Sequence, residues 1–127
     1  RLIFMLRIDV SADPRYKIDR RFIRKFLKDG WEKRSLPTGT VSVAFVGSRK
    51  ARELAKKYLH DDQPHPVITV PHGTKGATFP GVDNTVGEII ICFSQVVIFA
   101  AEQDKEINTV ISQFLDHAMT VLSHVLS

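Results

Sequence analysis

The sequence is poor in cysteine and in long apolar runs, and each shortage excludes a class of protein. One cysteine in 127 residues cannot form an internal disulfide, so the chain is not a disulfide-stabilised secreted scaffold. Every apolar run is shorter than the ~20 residues that cross a bilayer, and no signal-peptide pattern opens the chain. We therefore expect a cytoplasmic protein with no membrane partner.

Basic residues are scarce in the second half of the chain. Residues 61–127 contain only 2 of the 18 lysines and arginines but 8 of the 14 acidic residues. The first 60 residues therefore carry a balance of +10, and the rest carry −6. Such a division favours a polyanion partner on the basic side, although a solvated helix face that keeps the domain soluble gives the same composition.

The basic residues of the first half are concentrated on one predicted helix. The stretch "IDRRFIRKFLKDGWEKR", residues 18–34, places apolar side chains at helical spacing and basic side chains between them. Such side chains contact phosphates as charges and do not read bases. If the chain binds RNA, we predict contacts from this helix and the start of the next one: Arg20, Arg21, Arg24, Lys25, Lys28, Arg49 and Lys50.

Periodicity along the chain predicts an α+β fold of the α/β-sandwich type. The order of elements is strand, helix, strand, helix, strand, strand, helix, helix, with Ser48 as the cap of the second helix and a break in helix at Asp104. This order predicts a small, mostly parallel four-stranded sheet with one antiparallel edge strand and helices packed against it. We expect residues 1–127 to form a single domain.

Two stretches resemble a known family. "ELAKKYLHDDQPHPVITVP" (residues 53–71) and "GEIIICFSQVVIFAAEQDKE" (residues 87–106), with the helix that follows them, are similar to the YbeY family of metal-dependent, single-strand-specific endoribonucleases. The resemblance covers nearly the whole chain. It implies a zincin-like metal-hydrolase topology, a zinc cofactor, ribosomal RNA as substrate and a role in ribosome assembly, with a small-subunit ribosomal protein as a further partner.

The metal-binding signature of that family, HGxxHxxGxDH, is only partly present. His117 occupies its first position and is the one candidate metal ligand, while Val121 and Ser127 replace the other two histidines. His124 replaces the glycine that ends the helix, so we predict a terminal helix that continues through residue 124. The arginine that the family places after a tyrosine, where it is implicated in catalysis, is Leu59 here.

Histidines elsewhere offer one route to a rebuilt metal site. His117 and His124 lie seven residues apart, about 10.5 Å along a helix axis, which is too far for two ligands of one zinc ion. His60, His65 and His72 lie in the segment that the family brings near its metal, so His117 with two of these three remains an alternative.

Three functions follow from these observations. The main hypothesis is a YbeY-like rRNA maturation or ribosome assembly protein, catalytically weak or inactive, that binds ribosomal or other single-stranded RNA. The first alternative is an active zinc endoribonuclease with a rebuilt site. The second alternative is a protein-interaction domain without an RNA role.

Overall fold

The computed structural model describes residues 6–63, 65–72 and 85–126. In chain order its elements are β1 (Arg7–Ala12), α1 (Arg20–Lys33), β2 (Thr40–Val46), α2 (Ser48–Leu59), β3 (Val67–Pro71), β4 (Thr85–Cys92), α3 (Phe93–Gln103) and α4 (Ile107–Leu126). This order confirms the sequence-based prediction. Residues 73–84 of the glycine-rich segment between β3 and β4, and the last signature position, Ser127, lie outside the described residues.

The four strands form one sheet in the order β1-β2-β4-β3. β1 pairs with β2 and β2 with β4 in parallel, whereas β3 pairs with β4 antiparallel at the edge. The predicted α+β class, with a mostly parallel sheet and one antiparallel edge strand, is confirmed. β1 is the other edge strand, and its outer side has no strand partner in the described part of the chain.

The sheet separates two apolar clusters because successive side chains of a strand point to opposite faces. On one face, Ile89 and Ile91 of β4 pack with buried residues of α1, α3 and α4. On the other face, Ile90 of β4 packs with Ile68 of β3 and with Ala55 of α2. The helices therefore form two layers, with α2 alone on its side of the sheet among the described helices.

Local capping fixes the position of α1. The Asp19 carboxylate accepts a hydrogen bond from the Phe22 N–H at 3.0 Å, which satisfies a backbone donor that the first turn leaves free. At the other end, the buried Trp31 indole donates to the Pro37 carbonyl at 2.7 Å. These two hydrogen bonds fix the first turn of α1 and the segment that follows its last turn. Ile23 and Leu27, in the middle of the helix, are fully buried.

Two helix boundaries test sequence-based expectations. Asp104 adopts a left-handed conformation, φ 52°, and ends α3, so the predicted break is confirmed. The prediction that Ser48 caps α2 is wrong: Gly47 is the cap residue and Ser48 already belongs to the helix, with no side-chain capping bond. Because Gly47 has no side chain, the cap position offers no side-chain acceptor to the free backbone N–H groups of the first turn. Ser48 lies one residue too late to take that position.

No helix in the described residues is long and apolar enough to cross a membrane.

Replacing Asp19 with alanine should lower the free energy of unfolding by about 1 kcal/mol, because the cap of α1 is lost. Asp29→Ala provides the matched control, since it removes a carboxylate from the same helix that only forms an exposed pair with Lys25. The control should cost less than about 0.5 kcal/mol. Urea denaturation of both variants measures the difference, and equal losses would contradict the capping role.

Candidate functional site

Four of the predicted RNA-binding side chains line one groove. Arg21, Arg24, Lys25 and Lys28 of α1 face the start of β1, where apolar residues Leu6 and Ile8 form the other wall. One acidic residue, Asp29, also lines the groove. The side chains converge because positions 21, 24, 25 and 28 follow the i, i+3, i+4, i+7 spacing of a single helix face.

Two arginines of α1 also bind the backbone of β1. Arg20 donates through Nη1 to the Val10 carbonyl at 2.6 Å, and Arg24 donates through Nε to the Ile8 carbonyl at 3.4 Å. Alternate carbonyls of a strand point the same way, and these two serve the outer side of an edge strand. Arg20 and Arg24 therefore cover the free edge of β1, a role that charge and spacing alone did not predict.

The remaining cations of the groove differ in whether another side chain already pairs with them. Lys25 pairs with Asp29 at 3.0 Å, with both side chains mostly exposed. Arg21 and Lys28 make no hydrogen bond or ion pair with the described residues, and both are exposed. An exposed pair such as Lys25–Asp29 is weak, so an incoming phosphate competes with it at little cost. Arg21 and Lys28 are available without any such competition.

Arg49 and Lys50 lie on a different surface from the groove. They belong to the first turn of α2, in the layer on the opposite face of the sheet. Their surroundings include Asp13 and Arg15, and the Arg15 guanidinium lowers the pKa of the Asp13 carboxyl to about 2. The structure therefore gathers four of the seven predicted residues in one groove and places Arg49 and Lys50 apart from them.

The partial metal signature lies on α4. The helix continues to Leu126, so the prediction that it runs through His124 is confirmed. His117 and His124 are exposed, and neither has a polar partner among the described residues. Val121, which occupies the second ligand position, is half-buried. The nearby Ala118 and Leu122 of the same helix are fully buried.

The three other histidines have separate positions. His60 ends α2 in a left-handed conformation, φ 55°. The His65 ring contacts the Asp61 carboxylate at 2.9 Å, and this hydrogen bond lowers the pKa of Asp61. The His72 ring contacts Glu88 at 2.6 Å.

These positions do not fit a zinc ion. A zinc site needs at least three convergent protein ligands. The described ranges, 6–63, 65–72 and 85–126, contain no group of three His, Cys, Asp or Glu side chains that could hold a metal ion. Their placement therefore does not support the alternative of a site rebuilt from His117 and two of His60, His65 and His72.

Sequence reasoning missed a polar row on the sheet. Asp9 of β1, Ser42 of β2 and Glu88 of β4 stand side by side in register on the face that carries α2. Two features of the sequence could have indicated this row. Polar residues alternate with apolar ones in β1 and β2, and Glu88 is the one acidic residue in the mostly apolar strand β4. Strand order, which brings these positions together, depends on non-local pairing.

Comparisons with known proteins agree with this architecture. A sequence profile of the family described as "Endoribonuclease YbeY" matches residues 10–124. The fold is similar to the solution structure of protein TM1509 from Thermotoga maritima, with a TM-score of 0.56 and 18% identity over 91% of this chain and 71% of that chain. At that identity the likeness concerns the fold alone. No curated protein matches in sequence.

Arg20→Ala and Arg21→Ala should differ in stability although the two residues are neighbours of equal charge. Loss of the hydrogen bond to the Val10 carbonyl should cost about 0.5–1.5 kcal/mol, whereas the exposed Arg21 should stay within about 0.5 kcal/mol of the parent. Chemical denaturation measures both values. Equal stability of the two variants would show that Arg20 does not hold the edge of β1.

Proposed function

We propose that this chain, which belongs to the YbeY endoribonuclease family, is a ribosomal RNA maturation or assembly factor that binds single-stranded RNA and cleaves it weakly or not at all. Membership of the family implies ribosomal RNA maturation by endonucleolytic cleavage. RNA binding, loss of activity and a cytoplasmic location are the finer parts of the proposal. RNA binding and loss of activity are each supported by a separate feature of the chain.

The observation that carries the RNA-binding proposal is the groove between α1 and β1. Four cationic side chains line it, and two of them, Arg21 and Lys28, have no competing partner among the described residues. The groove is open and its apolar wall, Leu6 and Ile8, offers a surface against which bases can lie. A positively charged groove that follows the RNA backbone is typical of binding to single strands without sequence preference.

Loss of metal-dependent cleavage is supported by the residues on α4. In the family, histidines one helical turn apart on this helix hold the metal, and here Val121 takes the second of these positions. Val121 is half-buried, and the nearby Ala118 and Leu122 of the same helix are fully buried, so that part of the helix favours apolar surroundings over a cation. His117 alone supplies too few ligands for zinc. The basic groove does not involve these residues.

A protein partner is the second candidate, and one observation favours it. Val97 and Ile98 on α3 are adjacent large apolar residues that are 44% and 46% exposed. Exposed apolar residues that lie together are typical of interaction surfaces. A small-subunit ribosomal protein bound at α3 is compatible with RNA in the α1 groove, because the two surfaces use different helices.

The protein purified without chelator should contain far less than one zinc ion per chain, because only His117 remains of the three signature histidines. Elemental analysis by mass spectrometry measures the content, with His117→Ala as the matched control. One zinc ion per parent chain that disappears in the variant would restore the active-enzyme alternative.

Binding to single-stranded RNA should depend steeply on salt. Each phosphate that is neutralised on a single strand contributes about −0.7 to the slope of log affinity against log salt concentration. The double substitution Arg21→Glu and Lys28→Glu should abolish binding in fluorescence anisotropy at low ionic strength. Thermal stability should change little, since both residues are exposed.

A second double variant tests whether RNA binds to the groove or is attracted by the net charge of the protein. Lys56→Glu with Lys105→Glu makes the same change of charge at exposed positions of α2 and of the turn before α4. This variant should retain most of the RNA affinity. Equal loss in both double variants would show that overall charge, and not the α1 groove, holds the RNA. Unchanged binding after substitution of Arg21 and Lys28 would refute the groove outright.

A further inference from the structure

Among the described residues, part of one sheet face carries no helix, although most of the sheet is parallel. Parallel strands are normally covered on both faces. Here α2 covers only part of its side, where Ala55 packs on Ile68 and Ile90. The other part exposes polar side chains of β1, β2 and β4 in two rows. Asp9, Ser42 and Glu88 form one row, and Arg7, Thr40 and Thr85 form the other.

These rows line a cleft of about 710 Å³, a volume within the usual range of small-molecule sites. Such sites are mostly apolar, whereas this cleft has a polar side chain at every lining position. Its lining residues are Arg7, Asp9, Thr40, Ser42, His72, Thr85 and Glu88. A ligand that fits it must therefore offer many hydrogen-bonding groups. Within the described chain, no helix lies over these residues in the way that α2 lies over Ile68 and Ile90.

Polar contacts hold the side chains of the cleft in place. The His72 backbone N–H donates to the Val86 carbonyl at 3.1 Å, and the His72 ring Nε2 lies 2.6 Å from Glu88 Oε2. Arg7 donates through Nε to Asp9 Oδ1 at 3.1 Å. The second oxygen of each carboxylate and the Nη groups of Arg7 make no hydrogen bond with described residues.

The polar groups of the cleft differ in kind from those of the α1 groove. The groove has four cations and one carboxylate, which suits phosphates alone. The cleft has one guanidinium, one imidazole and two carboxylates, together with hydroxyls. Carboxylate oxygens accept hydrogen bonds from hydroxyl groups and repel bare phosphates. The ligand that matches these groups has one anionic group, for the guanidinium, and neighbouring hydroxyl donors, for the carboxylates. A ribose with its phosphate has that composition.

The cleft and the groove meet at the free edge of β1. Ile8 points toward the α1 side of the sheet, whereas Arg7 and Asp9 on either side of it point into the cleft. β1 has no strand on its outer side among the described residues. In the described part of the chain, β1 is thus the one element that separates the groove from the cleft.

We propose that the cleft binds one ribonucleotide unit of the RNA, with the Arg7 Nη groups on its phosphate and the Glu88 and Asp9 carboxylates on its ribose hydroxyls. The inference rests on the proposed RNA-binding function and adds to it a preference for RNA over DNA. The 2′-hydroxyl is the group that distinguishes the two polymers. The α1 groove contacts phosphates and gives no such preference.

The test compares single-stranded RNA and DNA of the same sequence by fluorescence anisotropy. The parent should bind RNA about tenfold more tightly, the factor that one hydrogen bond to a charged group supplies. Glu88→Gln should reduce this ratio to about twofold or less while leaving DNA affinity within about twofold, since only the ribose contact is weakened. Glu102→Gln, at an exposed position of α3, is the matched control and should keep the parental ratio.

Each outcome separates the two proposals. Equal binding of RNA and DNA by the parent, or an unchanged ratio in Glu88→Gln, would refute the cleft and leave the groove intact. If the Glu88 variant fails to fold, Asp9→Asn provides the same comparison, because Asp9 is 53% exposed on an edge strand. If the parent binds neither polymer, the groove proposal fails, and nuclear magnetic resonance titration with mononucleotides decides the cleft. AMP should then shift the His72 ring signals while dAMP does not, and equal effects of both would refute it.

Discussion

The burial of β4 on both faces is the constraint on which the rest of the structure depends. Its alternate side chains enter two separate apolar clusters, and six of its eight residues are buried. A strand in that position needs a partner on each side and a helix layer on each face. β2 and β3 are the partners. α2 supplies one layer, and α1, α3 and α4 supply the other.

The same strand fixes where α4 lies. A side chain at Gly87 would meet the Leu122 methyl groups at 3.3 Å, so the absence of a side chain there allows α4 to approach the sheet closely. Leu122 is fully buried as a result. With that residue facing inward, the helical period directs His117 and His124 outward, where both are exposed. The outward positions of the histidines of α4 thus accompany the inward position of Leu122 next to Gly87.

Much of the fold was predictable because it depends on local patterns. The period of two in β2, the basic and apolar faces of α1 and the apolar run of β4 each determine an element without reference to distant residues. The long terminal helix followed from one substitution, His124 for glycine. The candidate site was only half predictable. Charge spacing predicted five cations on one face of α1, of which four line the groove, but it could not assign Arg20 and Arg24 to the carbonyls of β1.

The positions that sequence reasoning missed depend on strand order. Asp9 and Glu88 are 79 positions apart in the chain, and only the insertion of β4 next to β2 brings them into one row. Likewise, the separation of Arg49 and Lys50 from α1 depends on which face of the sheet each helix occupies. The pattern of residues along the chain does not indicate which face of the sheet a helix will occupy.

The covered edge of β1 has a consequence for the behaviour of many copies of this chain together. An open strand edge is a template on which another copy can add its own strand, and repetition of that step produces aggregates. Two arginines occupy the β1 edge, and the opposite edge strand, β3, ends in Pro71, which has no backbone N–H to donate. Both edges of the sheet thus resist sheet extension by different chemistry. Arg20 and Arg24 therefore hinder the pairing of β1 with another copy of the chain, whether or not RNA is bound.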